Sequence, residues 1–198
     1  MALTTRIFLL RHAETEWNEQ KRLQGNQDSA LTERGRAQAN ALRQALQQLH
    51  FDRAYVSPLL RARETLRILL QGRDIETVVA DNLAEIKLGP WEGKTLSEAE
   101  RSHPLEYDAF WNQPDSFNLA GAETFQQLQR RVVAELESVF ATEKHNSIVI
   151  VSHWIAIKVA LAHYSSIPLS GLSSVANPQN GGYLCLCREG ARVSIETH

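Results

Sequence analysis

Two short apolar runs, each ending in a histidine, constrain this chain more than any other feature. Arg6-Ile7-Phe8-Leu9-Leu10-Arg11-His12-Ala13 holds four consecutive apolar residues, too few for a helix, and reads as a strand buried on both faces. Ser147-Ile148-Val149-Ile150-Val151-Ser152-His153 repeats the pattern and leads into a helical stretch. In open α/β sheets, ligands bind beyond the carboxyl ends of the strands. Two such strands therefore bring Arg11, His12 and His153 to a place where they can face each other across one pocket. Taken singly, the Arg11-His12 pair is equally compatible with a solvated loop start.

A third junction is Asp52-Arg53-Ala54-Tyr55-Val56-Ser57-Pro58-Leu59-Leu60-Arg61. Ser57 suits a helix N-cap and Pro58 the first helical position. That places Arg61 in the first turn, where a cation opposes the positive end of the helix dipole. An anion shared by Arg61 and the helix end would remove the conflict. Arg11, Arg61, Asn18 and the two histidines around one point describe a receptor for a phosphate dianion.

The remaining patterns supply the frame. Helices are predicted over 32–49 with Thr32 as N-cap, over 58–70, over 122–142 along Phe125, Leu128, Val132 and Leu136, and after His153. A strand is predicted near 77–80, and a hairpin joins 183–187 to 192–196 through Glu189-Gly190. Strands alternating with helices predict an α/β fold, a mainly parallel sheet with helices on both faces. A length of 198 residues fits one domain, 1–198, with a substantial core. Within it, residues 94–121 open with capping-box spacing at Thr95-Leu96-Ser97-Glu98, then gather Tyr107, Phe110, Trp111 and Phe117 between Pro104 and Pro114. Such a cap-like insertion either covers a pocket or forms a satellite core, and both readings stand.

Lys+Arg 21 against Asp+Glu 23 leaves a net charge of −2, which argues against nucleic acid or an anionic membrane as partner. No 18-residue apolar run occurs, and Leu10 is followed at once by Arg11, so a soluble, cytoplasmic protein is expected. Cys185 and Cys187 share one face of a strand, a poor disulfide geometry, and read as buried thiols. No Cys/His spacing suggests zinc. Histidines 50, 103, 145, 163 and 198 lie away from strand ends and are assigned ordinary structural roles.

At these residues the chain resembles the histidine phosphatases, or phosphoglycerate mutase-like superfamily. The resemblance is carried by Leu10-Arg11-His12-Ala13 and its continuation to Asn18, by Leu23-Gln24-Gly25, and by Leu31-Thr32-Glu33-Arg34-Gly35. Further matches are Ser57-Pro58-Leu59-Leu60-Arg61, then Leu83-Ala84-Glu85 through Trp91-Glu92-Gly93, and Val151-Ser152-His153. They follow the family's order from residue 7 to about residue 187. The resemblance implies a three-layer αβα fold in which the region of 94–121 caps the site. It also implies a phosphomonoesterase that acts through a phosphohistidine without metal or cofactor.

His12 is the candidate nucleophile, because a neutral imidazole can attack phosphorus without first losing a proton. Arg11, Arg61 and His153 would hold the phosphoryl oxygens, with one more hydrogen bond from Asn18. Their positive field should lower the His12 pKa. Gln24, Gly25 and Trp154 are the candidate substrate contacts. Glu85 is the family's counterpart for the general acid and base. Its neighbours Leu83, Ala84 and Ile86 favour a neutral carboxyl, and Glu92 is the competing residue on sequence alone.

Three departures bear on function. Ala13 and Trp154 stand where the family commonly has glycine, and Trp154 either narrows the pocket or walls it for a ring-bearing substrate. The longer, arginine-bearing insertion of true mutases is missing between Glu92 and Glu123, which favours a phosphatase. Phe51-Asp52-Arg53 and Gly89-Pro90-Trp91-Glu92 are most similar to the alpha-ribazole phosphatase branch of cobalamin assembly. The substrate expected is a small phosphate ester, such as alpha-ribazole 5'-phosphate, taken by a monomer or a homodimer. A broad-specificity sugar-phosphate phosphatase and a phosphoglycerate mutase are the nearest alternatives. More distant ones are a metal-dependent hydrolase built on His12, Glu14 and His153, and a phosphate sensor without turnover.

Overall fold

In the computed structural model, which describes residues 4–143 and 146–197, β1 (Thr5–Arg11) runs through the middle of a six-stranded sheet. His145 and His198 lie outside the described residues. On one side β1 pairs in parallel with β4 (Ser147–Ser152), which pairs in parallel with β2 (Arg53–Val56), and β2 in turn with β3 (Thr77–Val79). On the other side β5 (Tyr183–Glu189) and β6 (Arg192–Thr197) follow antiparallel. The sheet is thus mixed, three parallel pairs and two antiparallel ones, in the order β3-β2-β4-β1-β5-β6. The antiparallel end is the predicted hairpin, whose tight turn admits no crossover helix.

Alternation along the strands divides the core in two. Ile7, Leu9, Ile148, Ile150, Leu184 and Leu186 face Leu128, Val132 and Leu136 of α6 (Phe125–Thr142) and Ile157 and Leu161 of α7 (Trp154–Tyr164). Phe8, Leu10, Val149, Val151, Cys185 and Cys187 face Leu42 of α2 (Glu33–Ala45) and Leu66 and Leu69 of α3 (Leu60–Leu69). Helices cover both faces, which makes three layers. Each fully buried aliphatic side chain adds roughly 1.5–3 kcal/mol, so the strands are held from both sides.

Several predicted ends move. α2 starts after its N-cap Thr32, whose hydroxyl accepts the Gly35 N–H at 2.9 Å, but it stops at Ala45 rather than 49. α6 starts at Phe125 because Thr124 and Gln127 close a capping box there. The thiols of Cys185 and Cys187 lie 3.5 Å apart, buried and unbridged.

Residues 94–121 fold as α4 (Leu96–Ser102), with the Thr95/Glu98 capping box in place, and α5 (Pro104–Asn112). They close around Trp91, which is fully buried with ring centroids 6.0 Å from Tyr107, 5.7 Å from Phe110 and 5.6 Å from Phe117. The Trp91 indole N–H donates to His103 Nδ1 at 3.2 Å, which gives His103 a structural partner. Among the described residues no helix is long and apolar enough to cross a membrane.

Candidate active site

Strand register brings the two histidines together. β1 and β4 pair Leu10 with Val151 and Arg11 with Ser152, so the next residue of each strand, His12 and His153, falls at the same level. The His12 N–H donates to the Ser152 carbonyl at 3.0 Å, and the two imidazole centroids lie 5.2 Å apart. Both rings are buried. Both follow the carboxyl ends of parallel strands; His12 lines a cleft of about 280 Å³ together with Arg11, Asn18, Arg61, Glu85 and Trp154, whereas His153 is fully buried beside it and not part of the lining.

The tautomer of His12 follows from one bond. Its Nδ1 lies 2.8 Å from the carbonyl of Ala13, which can only accept, so Nδ1 carries the proton and the lone pair sits on Nε2. Burial, then the charges of Arg61 and Arg11, hold the His12 pKa well below the usual histidine value. The cationic field is a cause, as expected, but burial is the larger one. Ala13 is fully buried, and its N–H donates to Thr65 Oγ1 at 3.0 Å. Its φ is not positive, so no glycine is required there.

The start of α3 differs from the expectation. Its N-cap is Leu59, in extended backbone, with Ser57 and Pro58 outside the helix. The cap comes instead from Asp28, whose Oδ2 accepts the Leu60 N–H at 2.9 Å and whose Oδ1 accepts the Arg61 N–H at 3.4 Å. Oδ1 also accepts Arg61 Nη1 at 2.7 Å, while the carbonyls of Gln27 and Gly25 take Nη1 at 2.7 Å and Nη2 at 2.8 Å. The anion predicted to relieve Arg61 against the helix dipole is therefore this carboxylate. Arg61 Nε remains buried without a partner, as does Arg11 Nε. Burial lowers the pKa of Arg61, and that of Arg11 to about 10.

Glu85 is buried, yet its surroundings are polar. Its Oε1 accepts the N–H groups of Ile86 at 2.9 Å and Ala156 at 3.1 Å, and its Oε2 accepts that of Ile155 at 3.1 Å. The last two come from the first turn of α7. The apolar sequence neighbours therefore misstate its environment. Glu92 is settled elsewhere: its Oε1 accepts the N–H groups of Leu88 and Asn26, both at 3.0 Å. Glu14 does not join the histidines, since Oε1 takes the Thr32 hydroxyl at 2.9 Å and Oε2 faces Arg34 at 3.6 Å. Among the described residues, the one group with metal-ligand spacing is Cys185, Cys187 and Glu196, in the β5–β6 hairpin.

The other candidates also line the cleft. Asn18 sits in the one-turn helix α1 (Glu16–Glu19), and its Oδ1 takes the N–H and hydroxyl of Thr15, both at 3.1 Å, which fixes the amide. Gln24 is clamped between Thr15 and Ser29. Gly25 has φ +52, and a Cβ there would collide with the Glu92 carboxylate. Trp154 Nε1 donates to Asn177 Oδ1 at 3.2 Å, and its ring lies 5.8 Å from the Arg11 guanidinium and 5.8 Å from the ring of Trp111. It is thus a wall of the cleft.

Sequence reasoning missed Asp28, the role of Ser57, and the segment 177–180. There the Pro178 carbonyl accepts Arg11 Nη1 at 2.9 Å, and Asn180 Nδ2 donates to the His12 carbonyl at 3.1 Å. Pro178-Gln179-Asn180-Gly181-Gly182 signals only a turn, and a main-chain acceptor has no sequence signature.

Comparison with known proteins matches residues 7–198 to the histidine phosphatase superfamily, branch 1. Phosphoserine phosphatase 1 of Hydrogenobacter thermophilus is 32% identical over 83% of this chain and 78% of its own length. The adenosylcobalamin/alpha-ribazole phosphatase of Salmonella typhimurium is 31% identical over 84% of this chain and 83% of its own. The solved structure of YhfR from Bacillus stearothermophilus superposes with a TM-score of 0.95 at 32% identity, covering 98% of this chain and 96% of that one. With a matching family model over nearly its whole length and a shared fold, the chain belongs to the histidine phosphatase superfamily.

Proposed function

We propose that this phosphatase is a metal-independent phosphomonoesterase of small phosphorylated metabolites and works through a phosphohistidine at His12. The observation that carries the reading is the His12 ring itself. It is locked by Nδ1 on the Ala13 carbonyl, kept neutral by burial and two arginines, and left with its Nε2 lone pair in the cleft.

In the first transfer, Nε2 bonds to phosphorus as the phosphorus–oxygen ester bond breaks, and Glu85 gives the departing oxygen its proton. Arg11, Arg61, His153 and Asn18 hold the phosphoryl oxygens, each charge-assisted bond contributing on the order of 1.5–3 kcal/mol. In the second, water attacks phosphorus, Glu85 takes its proton, and the nitrogen–phosphorus bond breaks to release inorganic phosphate and restore His12. Glu85 suits the role better than Glu92 because only Glu85 lines the cleft.

Phe110, Trp111 and Trp154 line the cleft from the segment 94–121 and from α7, which supports a capped single domain and a ring-bearing leaving group. Similarity to the Salmonella enzyme makes alpha-ribazole 5'-phosphate the first candidate, a place in cobalamin assembly. A second reading, a phosphorylated small acid, is favoured by Lys21 and Arg22, which also line the cleft. The test is a panel containing alpha-ribazole 5'-phosphate, phosphoserine, 3-phosphoglycerate and p-nitrophenyl phosphate, with acid-labile, alkali-stable phosphoenzyme trapped in parallel. Turnover without such an adduct, undiminished in His12→Ala, would refute the mechanism. Equal rates across the panel would refute the substrate preference.

A further inference from the structure

We infer that Ser57 is a positioning residue of the phosphate pocket, its hydroxyl setting the tautomer of His153 so that the ring presents an Nδ1–H donor. The inference rests on the proposed contact between His153 and the phosphoryl group. Ser57 follows β2, and its N–H donates to the Val151 carbonyl of β4 at 3.1 Å, which brings its side chain to His153. Both residues are fully buried, with Ser57 Oγ 2.6 Å from His153 Nε2.

A hydroxyl facing a ring nitrogen can donate or accept, and its other partners decide. Pro58 has no N–H, so the first amide that can reach Oγ belongs to Leu59, which donates to it at 3.3 Å. That uses an acceptor position and leaves the single hydroxyl hydrogen, for which His153 Nε2 is the one acceptor recorded among the described residues. If Nε2 carried the proton instead, a fully buried O–H would be stranded, which is costly. Nε2 is therefore the acceptor and Nδ1 the protonated nitrogen, because the hydrogen bond at one ring nitrogen determines which of the two carries the proton.

Nδ1 of His153 is buried with no hydrogen-bond partner. The ring lies beside His12 in the field of Arg61 and Arg11, where an anion is expected. A lone pair at that point would repel a phosphoryl oxygen, whereas an N–H would receive it. Ser57 thus acts through His153 without touching the substrate.

The test uses the full chain with 15N-labelled histidine, free and titrated with inorganic phosphate, as wild type, Ser57→Ala and Ser57→Thr. Wild type should show His153 as the Nδ1–H tautomer, with that proton shifting on phosphate binding. Ser57→Ala should lose the tautomer and bind phosphate about 10–100-fold more weakly, a loss of the size seen when the group that orients a metal-bound histidine is removed. Ser57→Thr, which keeps the hydroxyl and tolerates extended backbone, should restore both. An Nε2–H tautomer in wild type overturns the inference, as does an unchanged tautomer and phosphate affinity in a folded Ser57→Ala. The spectra read the ring without turnover, so a failure to trap phosphohistidine would sink the mechanism and leave this assignment standing.

Discussion

The carboxylate of Asp28 holds Arg61 and the helix that carries it, accepting Nη1 at 2.7 Å through Oδ1 and the Leu60 N–H that opens the helix at 2.9 Å through Oδ2. One side chain thereby caps α3 and fixes a guanidinium that is almost fully buried. Removing one partner of such a pair strands a buried charge, which costs about 3–5 kcal/mol when both are inaccessible. Asp28 keeps one fifth of its side chain exposed, so Asp28→Ala is expected to lose about 2–4 kcal/mol, read by urea unfolding. The same variant should weaken inhibition by inorganic phosphate at least tenfold, while Asp28→Asn, which can still cap the helix, should lose less stability than phosphate affinity.

Stability should fall on mild acidification. The pKa values of His12 and His153 are lowered by burial first, so near and below 6.5 the unfolded chain binds protons that the folded chain does not. Stability is then fully present above about 6.5 and declines as pH drops toward the folded-state values, by up to about 1.4 kcal/mol per unit for each histidine. Unfolding midpoints measured between pH 8 and 5 should show this slope, and His153→Asn should halve it. A flat profile would contradict neutral, buried imidazoles.

Glu85→Gln should separate substrates by leaving group. An alkyl phosphate needs a proton on its departing oxygen, and kcat for it should fall by about 10²–10³, within the usual range for general acid–base catalysis. p-Nitrophenyl phosphate leaves without one and should lose far less. The same loss in the initial burst of p-nitrophenolate, which reports the first transfer alone, as in alkyl phosphate turnover would place Glu85 outside protonation of the leaving group.

Trp154 holds Arg11 as well as the wall. Its indole lies 5.8 Å from the guanidinium and is itself tied to Asn177. Trp154→Gly should raise KM for ring-bearing esters about tenfold, with a smaller change for small phosphates, since an aromatic contact is worth roughly 0.5–1.5 kcal/mol. Trp154→Phe should fall between, as measured on the same panel.

The two central strands were legible because burial on both faces leaves no freedom in composition: Ile7 to Leu10 and Ile148 to Val151 are apolar at every position. Their parallel pairing then fixes the level of His12 and His153. The hairpin was equally plain, and it brings the two antiparallel pairings of a sheet whose other three are parallel. What stayed hidden depends on partners remote in the chain. Arg61 is paired with a carboxylate 33 positions away, and Arg11 donates to a backbone carbonyl 167 positions away. Ser57 looked like a helix cap because its hydroxyl suits that role, and only the fold reveals that His153 engages it instead. The amides that meet Glu85 were hidden for the same reason, since two of them come from α7 rather than from the residues beside it.

Because alternate residues of β1 and β4 feed opposite cores, sliding either strand by one position would exchange the two interiors and carry one of the two facing imidazoles out of alignment in the same movement. Sheet assembly and chemical competence are therefore a single event in this protein. Turnover can serve as a ruler for strand pairing, and a substitution buried far from the cleft that loosens the pairing should silence the enzyme before it melts it.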